Sequence, residues 1–337
     1  MKELTKKLCN AFGPSGEEDE VRALIKAEIA PYCDKIETDK VGNLIAFKRG
    51  KKKTEAPTLF AAHMDEVGLM IEYITDDGYL YFDTVGGIDR RVLAGRRVEI
   101  GEKRIRGAIA SKAIHLQKPE ERGICVPVSE MYIDIGAKSR EEAAELITVG
   151  DNAVFVPNFE DFGDGLIKSK ALDDRIGCAV LCEMIKSELE YDTYFAFTVC
   201  EEVGCRGALS VAFALKPART VVIEATTAGD LPDTPAHRRA CAVGEGAVLS
   251  YMDGGAIYDR AFFDKALAVA KEKEIPCQVK NIVAGGNDSQ SFQTGAAGSK
   301  VLAISAPTRY IHSASSVVSL SDLEAVHDLA VEVSKMD

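Results

Sequence analysis

None of the nine cysteines stands in the Cys-x-x-Cys spacing of a structural zinc site or a redox dithiol, and nine is an odd number. Buried, reduced thiols are therefore expected. No apolar stretch approaches the length of a membrane span, and residues 1–7 carry no secretory hydrophobic region, so a cytoplasmic protein with no membrane partner is expected. Basic residues are in deficit, 41 Lys and Arg against 53 Asp and Glu. The resulting net charge of -12 argues against nucleic acid and anionic membrane surfaces as partners. Phosphate-binding glycine motifs are missing too: Gly295-Ala296-Ala297-Gly298-Ser299-Lys300 precedes a strand rather than following one and lacks the Gly-Lys-Ser order. There are no internal repeats and no low-complexity segments. Histidine is scarce, with only His63, His115, His237, His312 and His327.

What is present is a recurring placement. Residues 194–199 form an apolar run that ends in Glu201-Glu202, and Gly204 lets the chain turn there. Residues 58–62 run into His63-Met64-Asp65-Glu66, residues 220–223 into Glu224, and residues 301–304 lead toward Arg309-Tyr310-Ile311-His312. Alone, two adjacent glutamates read as an exposed acidic loop. Four such runs together follow the rule that ligands bind at the carboxyl ends of strands in open α/β sheets.

At 337 residues, 46% of them hydrophobic, the chain should form one large domain with a smaller one, or two domains. Residues 1–31 read as helical, with Val21, Leu24, Ile25 and Ile29 in phase before Pro31. Gly42-Asn43 marks a hairpin within residues 35–47, and residues 48–53 read as a solvated basic loop. From about Val67 to Phe162 the pattern changes to closely spaced short strands, with turns at Asp76-Asp77-Gly78, Gly86-Gly87 and Gly101-Glu102. This predicts a small β barrel or sandwich, residues 67–162, inserted into an α/β domain made of residues 1–66 and 163–337. Only residues 141–147 within the insert look helical. The α/β pattern then returns. Asp173 opens a helix carrying Ile176, Ala179, Val180 and Met184, and further helices are expected at residues 261–273 and 322–335.

His63, Asp173, Glu202, Glu224 and His312 supply two imidazoles and three carboxylates, one ligand too many for a single catalytic zinc with an open position. Two ions fit better, with Asp173 shared, His63 and Glu224 on one and Glu202 and His312 on the other. Such a pair, about 3.5 to 4 Å apart, activates a water and polarises a carbonyl. Asp65 is close enough in sequence to His63 to accept the ring's second N–H. Glu201 is then free to take the water's proton and pass it to a leaving amine, although spacing alone assigns neither glutamate. Mixed imidazole and carboxylate ligands suit zinc, cobalt and manganese alike. Cys200 and Cys205, beside the glutamates, read as buried thiols rather than ligands, and His237 and His327 as surface or packing residues.

The motifs His63-x-Asp65-Glu66-x-Gly68, Ala171-Leu172-Asp173-Asp174-Arg175-x-Gly177, Glu201-Glu202-Val203-Gly204 and Arg309-Tyr310-Ile311-His312-Ser313 resemble those of the tetrahedral dinuclear metallo-aminopeptidases, a group that includes glutamyl aminopeptidases and proteins labelled endoglucanase M. The resemblance spans the whole chain, with every motif in order. It implies a zinc-peptidase-like α/β/α domain with a mixed sheet, an aminopeptidase activity on small peptides, two divalent ions on the five ligands above, Glu201 as general base and Asp65 as the histidine's orienter. It also implies that the β insert builds a homo-oligomer, a dodecameric shell. Glu224 departs from the pattern, since many relatives carry aspartate there. Asp288, in Gly285-Gly286-Asn287-Asp288-Ser289, lies in a loop close to one near the family's substrate, but reads equally as a turn former and is left out of the site. His115 resembles a histidine of the insert in different surroundings. Three other readings compete. A glycosidase needs two carboxyl groups about 5 to 9.5 Å apart and gives the histidines no task. A silent scaffold would show a broken ligand set. A carboxypeptidase or deacylase would use the same two-metal core.

Overall fold

A computed structural model describes residues 1–336. Eleven strands form one mixed sheet. At its centre Thr58–His63 lies parallel to both Thr193–Thr198 and Arg219–Thr227, which in turn lies parallel to Lys300–Arg309. Strand side chains alternate between two cores, as a pleated strand requires. Phe60, Phe195, Val221 and Leu302 face the helices Lys2–Asn10, Asp19–Ile29, Leu172–Lys186 and Leu320–Ser334. Ala61, Ala196, Val222 and Ala303 face Arg206–Leu215 and Ser289–Thr294. The result is the α/β/α layering expected.

Residues 68–155 leave this sheet and return to it. Six strands, in the order Gly68–Ile74, Leu80–Val85, Met131–Asp134, Ile105–Ser111, Arg97–Ile100 and Asn152–Phe155, close into a barrel. Leu69 and Ile71 point inward while Met70 is exposed, and Phe82, Val98, Ile109, Ile133 and Phe155 complete an interior separate from the main core. Closure removes the open edges that a small sheet would otherwise leave.

Several boundaries differ from the sequence reading. Residues 1–31 hold two helices with an irregular stretch between them. The insert's helix is Arg140–Ala144, and the later helices are Arg260–Glu272 and Leu320–Ser334. Glu224 sits inside its strand rather than at its end, because parallel pairing continues through Ala225 to Thr227. Lys48 is not in a solvated loop: it closes the strand Leu44–Lys48, and its ammonium donates to the Ser187 carbonyl at 2.7 Å. All nine cysteines are free, but Cys33, Cys125, Cys200 and Cys277 are only partly buried. No helix among the described residues is long and apolar enough to cross a membrane.

Candidate metal centre

The carboxyl ends of the parallel strands bring the five expected ligands together. His63 ends its strand, and the Glu201-Glu202 pair follows Thr193–Thr198 by a short turn. Glu224 lies on the third strand, in register with Ser305 of the fourth. His312 follows that fourth strand, and Asp173 comes from the start of Leu172–Lys186. Asp173 joins the set: its Oδ1 lies 3.2 Å from His63 Nε2 and its Oδ2 3.2 Å from His312 Nε2. Glu224 stands 3.6 Å from His63 Nε2, and Glu202 3.3 Å from His312 Nε2. His63, Asp174 and Glu224 also form a compact group, but Asp174 is already engaged as acceptor from the Gly177 and His63 main-chain N–H groups.

Both imidazoles turn Nε2 toward this cluster because a main-chain carbonyl takes the other nitrogen. His63 Nδ1 lies 3.0 Å from the Asp65 carbonyl, and His312 Nδ1 lies 2.8 Å from the Gly87 carbonyl, which the barrel contributes. With Nδ1–H donated to each carbonyl, Nε2 is the nitrogen that would offer its lone pair to a cation once its proton is displaced. The Asp65 carboxylate is farther from His63, at 3.4 Å. It also accepts from Ser15 Oγ at 2.6 Å and from the main-chain N–H groups of Glu201 at 3.0 Å and Glu202 at 3.1 Å. Besides standing beside His63 it thus holds the double-glutamate loop, a contact the two-residue spacing from His63 did not suggest.

The electrostatics of the cluster are those of too many carboxylates in too little water. Burial, reinforced by the Asp173 charge, pushes Glu202 up to about 8. Burial likewise raises Glu224 to about 8 against the pull of His63, and lifts Glu201 well above the usual carboxylate range. Asp173 goes the other way: burial would raise it, but hydrogen bonds from His312 and His63 outweigh that. Burial would lower His312, yet its bond to Asp173 carries it to about 10. Protons here do what divalent cations do better, and cations would displace them. The donor set fits such ions. It is nitrogen and oxygen only, and the buried Glu202 Oε1 has no hydrogen-bond partner.

Three features escaped the sequence reading. Asp288, at the turn that opens Ser289–Thr294, is buried; its Oδ2 accepts from the Thr198 hydroxyl while Oδ1 lacks a partner, and burial raises it to about 6. Cys205 Sγ lies 3.3 Å from Glu201 Oε1, and since burial pushes the thiol's pKa far up it stays protonated and donates. Behind the cluster Lys170 and Arg175 share Glu66, all three buried, and Arg175 also binds the carbonyls of Leu8, Gly13 and Met64. Glu66 and Arg175 fall within the quoted motifs, and Lys170 lies just before one of them. His115 and His237 are exposed on short helical turns away from the cluster, and His327 pairs with Asp328.

Two cavities meet at Ile311 and His312. One, about 140 Å³, lies over the ligands and is walled by Ser250, Tyr258, Lys280 and the loop Gly285 to Asn287. The other, about 670 Å³, runs between core and barrel past Gly87, Arg91, Arg96 and Tyr310.

Two imidazoles and a surplus of buried carboxylates at the strand ends of an α/β/α sheet define a metallohydrolase. The M42 glutamyl aminopeptidase family matches residues 42–329, and the chain belongs to that family. A putative aminopeptidase of Acetivibrio thermocellus is 40% identical over 98% of both chains. The lysyl aminopeptidase of Pyrococcus furiosus is 32% identical over 97% of this chain and 95% of its own. Among solved structures, a TET aminopeptidase from the marine archaeon Thaumarchaeota archaeon SCGC AB-539-E09 superposes with a TM-score of 0.95 at 38% identity, covering 99% of this chain and 95% of that one. PhTET1-12s, a dodecamer in its asymmetric unit, superposes at 0.87 and 38%, covering 99% and 98%. The chain is a metal-dependent aminopeptidase, a peptide hydrolase.

Proposed function

We propose that the chain removes N-terminal residues from small peptides with two divalent ions, zinc or cobalt and in their place manganese, held by His63 and Glu224 on one side, Glu202 and His312 on the other, and Asp173 between. The observation that carries this is the Asp173 carboxylate, whose two oxygens each face a different histidine at 3.2 Å. When bound, the ions supply Lewis acidity, polarising the scissile carbonyl and acidifying water.

The protein does the rest. Glu201 is the general base: it accepts the proton of the attacking water and returns it to the leaving amine. A buried carboxyl with raised proton affinity suits both halves of that transfer. Asp65 fixes the glutamates by their main-chain N–H groups, and the Asp65 and Gly87 carbonyls fix the imidazoles. The small cavity takes the side chain of the first residue, and the larger one takes the remainder of the peptide.

Residues 1–66 and 163–337 act as the catalytic domain and residues 67–162 as an inserted domain for assembly and substrate access, with a dodecamer as the working form, in the cytoplasm. Ile114, Leu116 and Ile124, each about two-thirds exposed on the insert, supply apolar surface for contact between copies. Chelation of the purified protein should abolish hydrolysis of an aminoacyl anilide, and zinc or cobalt should restore it at about two ions per chain. His312→Ala should bind less metal. A fully stripped protein that kept its rate would refute the two-ion reading.

A further inference from the structure

We propose that Glu201, Cys205 and Asp288 form a further metal site, separate from the five ligands above, which takes zinc or a softer divalent ion in excess and silences the enzyme by occupying its general base. One oxygen of Glu201, the sulfur of Cys205 and one oxygen of Asp288 all lie within 4.8 Å of one another. The loop builds the first pair. The Gly204 and Cys205 N–H groups both donate to the Glu201 carbonyl at 2.9 Å, a single turn that sets side chains four residues apart next to each other. Cys205 Sγ consequently stands 3.3 Å from Glu201 Oε1. The third donor comes from another element. Asp288 opens Ser289–Thr294, and that helix is tied to the loop by Ser291 Oγ, which donates to the Cys205 carbonyl at 3.1 Å, and by Gln290 Nε2, which donates to Cys205 Sγ at 2.9 Å.

An acceptor without a donor points to the ion. Asp288 is 1% exposed, and while its Oδ2 accepts from the Thr198 hydroxyl, its Oδ1 is unpartnered. Leaving a buried carboxylate oxygen in that state is costly. The Cys205 thiol stands beside both carboxyl groups, but it has a single proton and cannot serve the two at once. A divalent ion serves all three: the thiol proton leaves to solvent and the sulfur binds as thiolate. Burial holds the thiol's proton affinity far up, so the ion has to displace a firmly held proton, and two cations on the neighbouring ligands oppose a third. The site therefore fills after the catalytic pair.

Sulfur decides which ion is taken. The catalytic ligands are nitrogen and oxygen donors, whereas this triangle adds a thiolate, which favours zinc and cadmium over manganese. A tetrahedral ion with bonds of about 2.0 to 2.3 Å draws its ligands to about 3.3 to 3.8 Å from one another. Cys205 Sγ and Glu201 Oε1 already have that spacing. Three protein donors leave a fourth position for water. Glu201 and Asn287 line the 140 Å³ cavity over the catalytic ligands, so the ion enters by the substrate's route. Once it is bound, Glu201 no longer takes the proton of the attacking water. That consequence rests on the proposed function; the binding itself does not.

The test loads the full-length protein with two equivalents of zinc and then titrates it with more zinc or with cadmium. Elemental analysis should find a third ion per chain, and cadmium should bring up the ultraviolet thiolate-to-metal absorption band. Hydrolysis of a leucyl anilide should fall roughly 10²-fold or more at saturation, the lower end of what a general base is worth. Excess manganese should do none of this. Cys205→Ser keeps a proton donor beside Glu201, and Asp288→Asn keeps an acceptor for Thr198. Each variant should lose the third ion and the inhibition, scored against its own two-ion rate, and the band should go with Cys205. Binding that stops at two ions, a band unchanged in Cys205→Ser, or inhibition undiminished in both variants would overturn the proposal. The third ion and its band are read without turnover, so a protein that hydrolyses nothing would refute the proposed function alone.

Discussion

Glu201 and Glu202 are neighbours in the chain that keep different company. Glu202 faces His312 with one oxygen and leaves the other without a partner, whereas Glu201 is held by the Cys205 thiol. Glu201→Gln keeps the volume but cannot accept a proton, so kcat should fall roughly 10²- to 10⁴-fold. Metal content should stay near two ions per chain and KM should move little, because the lost interaction belongs to the transition state. Glu202→Gln removes an anionic donor; elemental analysis should find less than two ions, and added metal should recover part of the rate. Metal lost from the first variant and kept by the second would exchange the two roles. That His63, Glu202 and His312 stand at or just beyond the ends of strands was legible in the sequence. Their hydrogen-bond partners were not, because those depend on approaches across the fold: Thr198 and Asp288 are 90 residues apart, and Arg175 and Leu8 are 167 apart. The same holds for Asp65, whose carboxylate reaches past His63 to residues 136 positions away.

At the scale of the element, strands and helices were visible from their periodicity, and errors gathered at their ends. The charge of Glu224 looked like a strand terminus, but pairing with Lys300–Arg309 outweighs one polar residue. The helix Arg206–Leu215 ends where no glycine marks it. Lys216, exposed and followed by Pro217, takes the left-handed conformation with φ 49° and ψ 53°. An L-residue there costs about 1 to 2 kcal/mol, and glycine avoids that at a smaller entropic cost of roughly 0.5 to 1 kcal/mol in the unfolded chain. Lys216→Gly should therefore raise the urea midpoint by the equivalent of a few tenths to about 1 kcal/mol, without changing the slope of the transition. A lowered midpoint would mean that the lysine side chain stabilises this corner in a way its exposure does not suggest.

For the whole molecule, the insert and the α/β core have separate interiors but one shared site. Replacing residues 70–160 with a short linker should leave a soluble core that no longer forms large particles by light scattering. The same deletion removes the Gly87 carbonyl that orients His312, so the core should hold fewer than two ions per chain. A dodecamer-sized particle, or a full complement of metal, would contradict one or the other half of this prediction. That the insert would be a β barrel was readable from its short strands and turns. That it reaches into the metal centre was not, because its contribution there is an atom every residue possesses.

A main-chain carbonyl carries no side-chain identity. A barrel with different side chains at that position could present the same oxygen to His312. Only the path of the loop is constrained. Gly86 has a φ of +85°, and a Cβ there would come within 3.2 Å of Glu202; a Cβ on Gly87 would stand 3.5 Å from the His312 ring. Of these two glycines Gly86 is thus the one at which a side chain is less admissible, whereas Gly87 contributes an oxygen that another residue could supply.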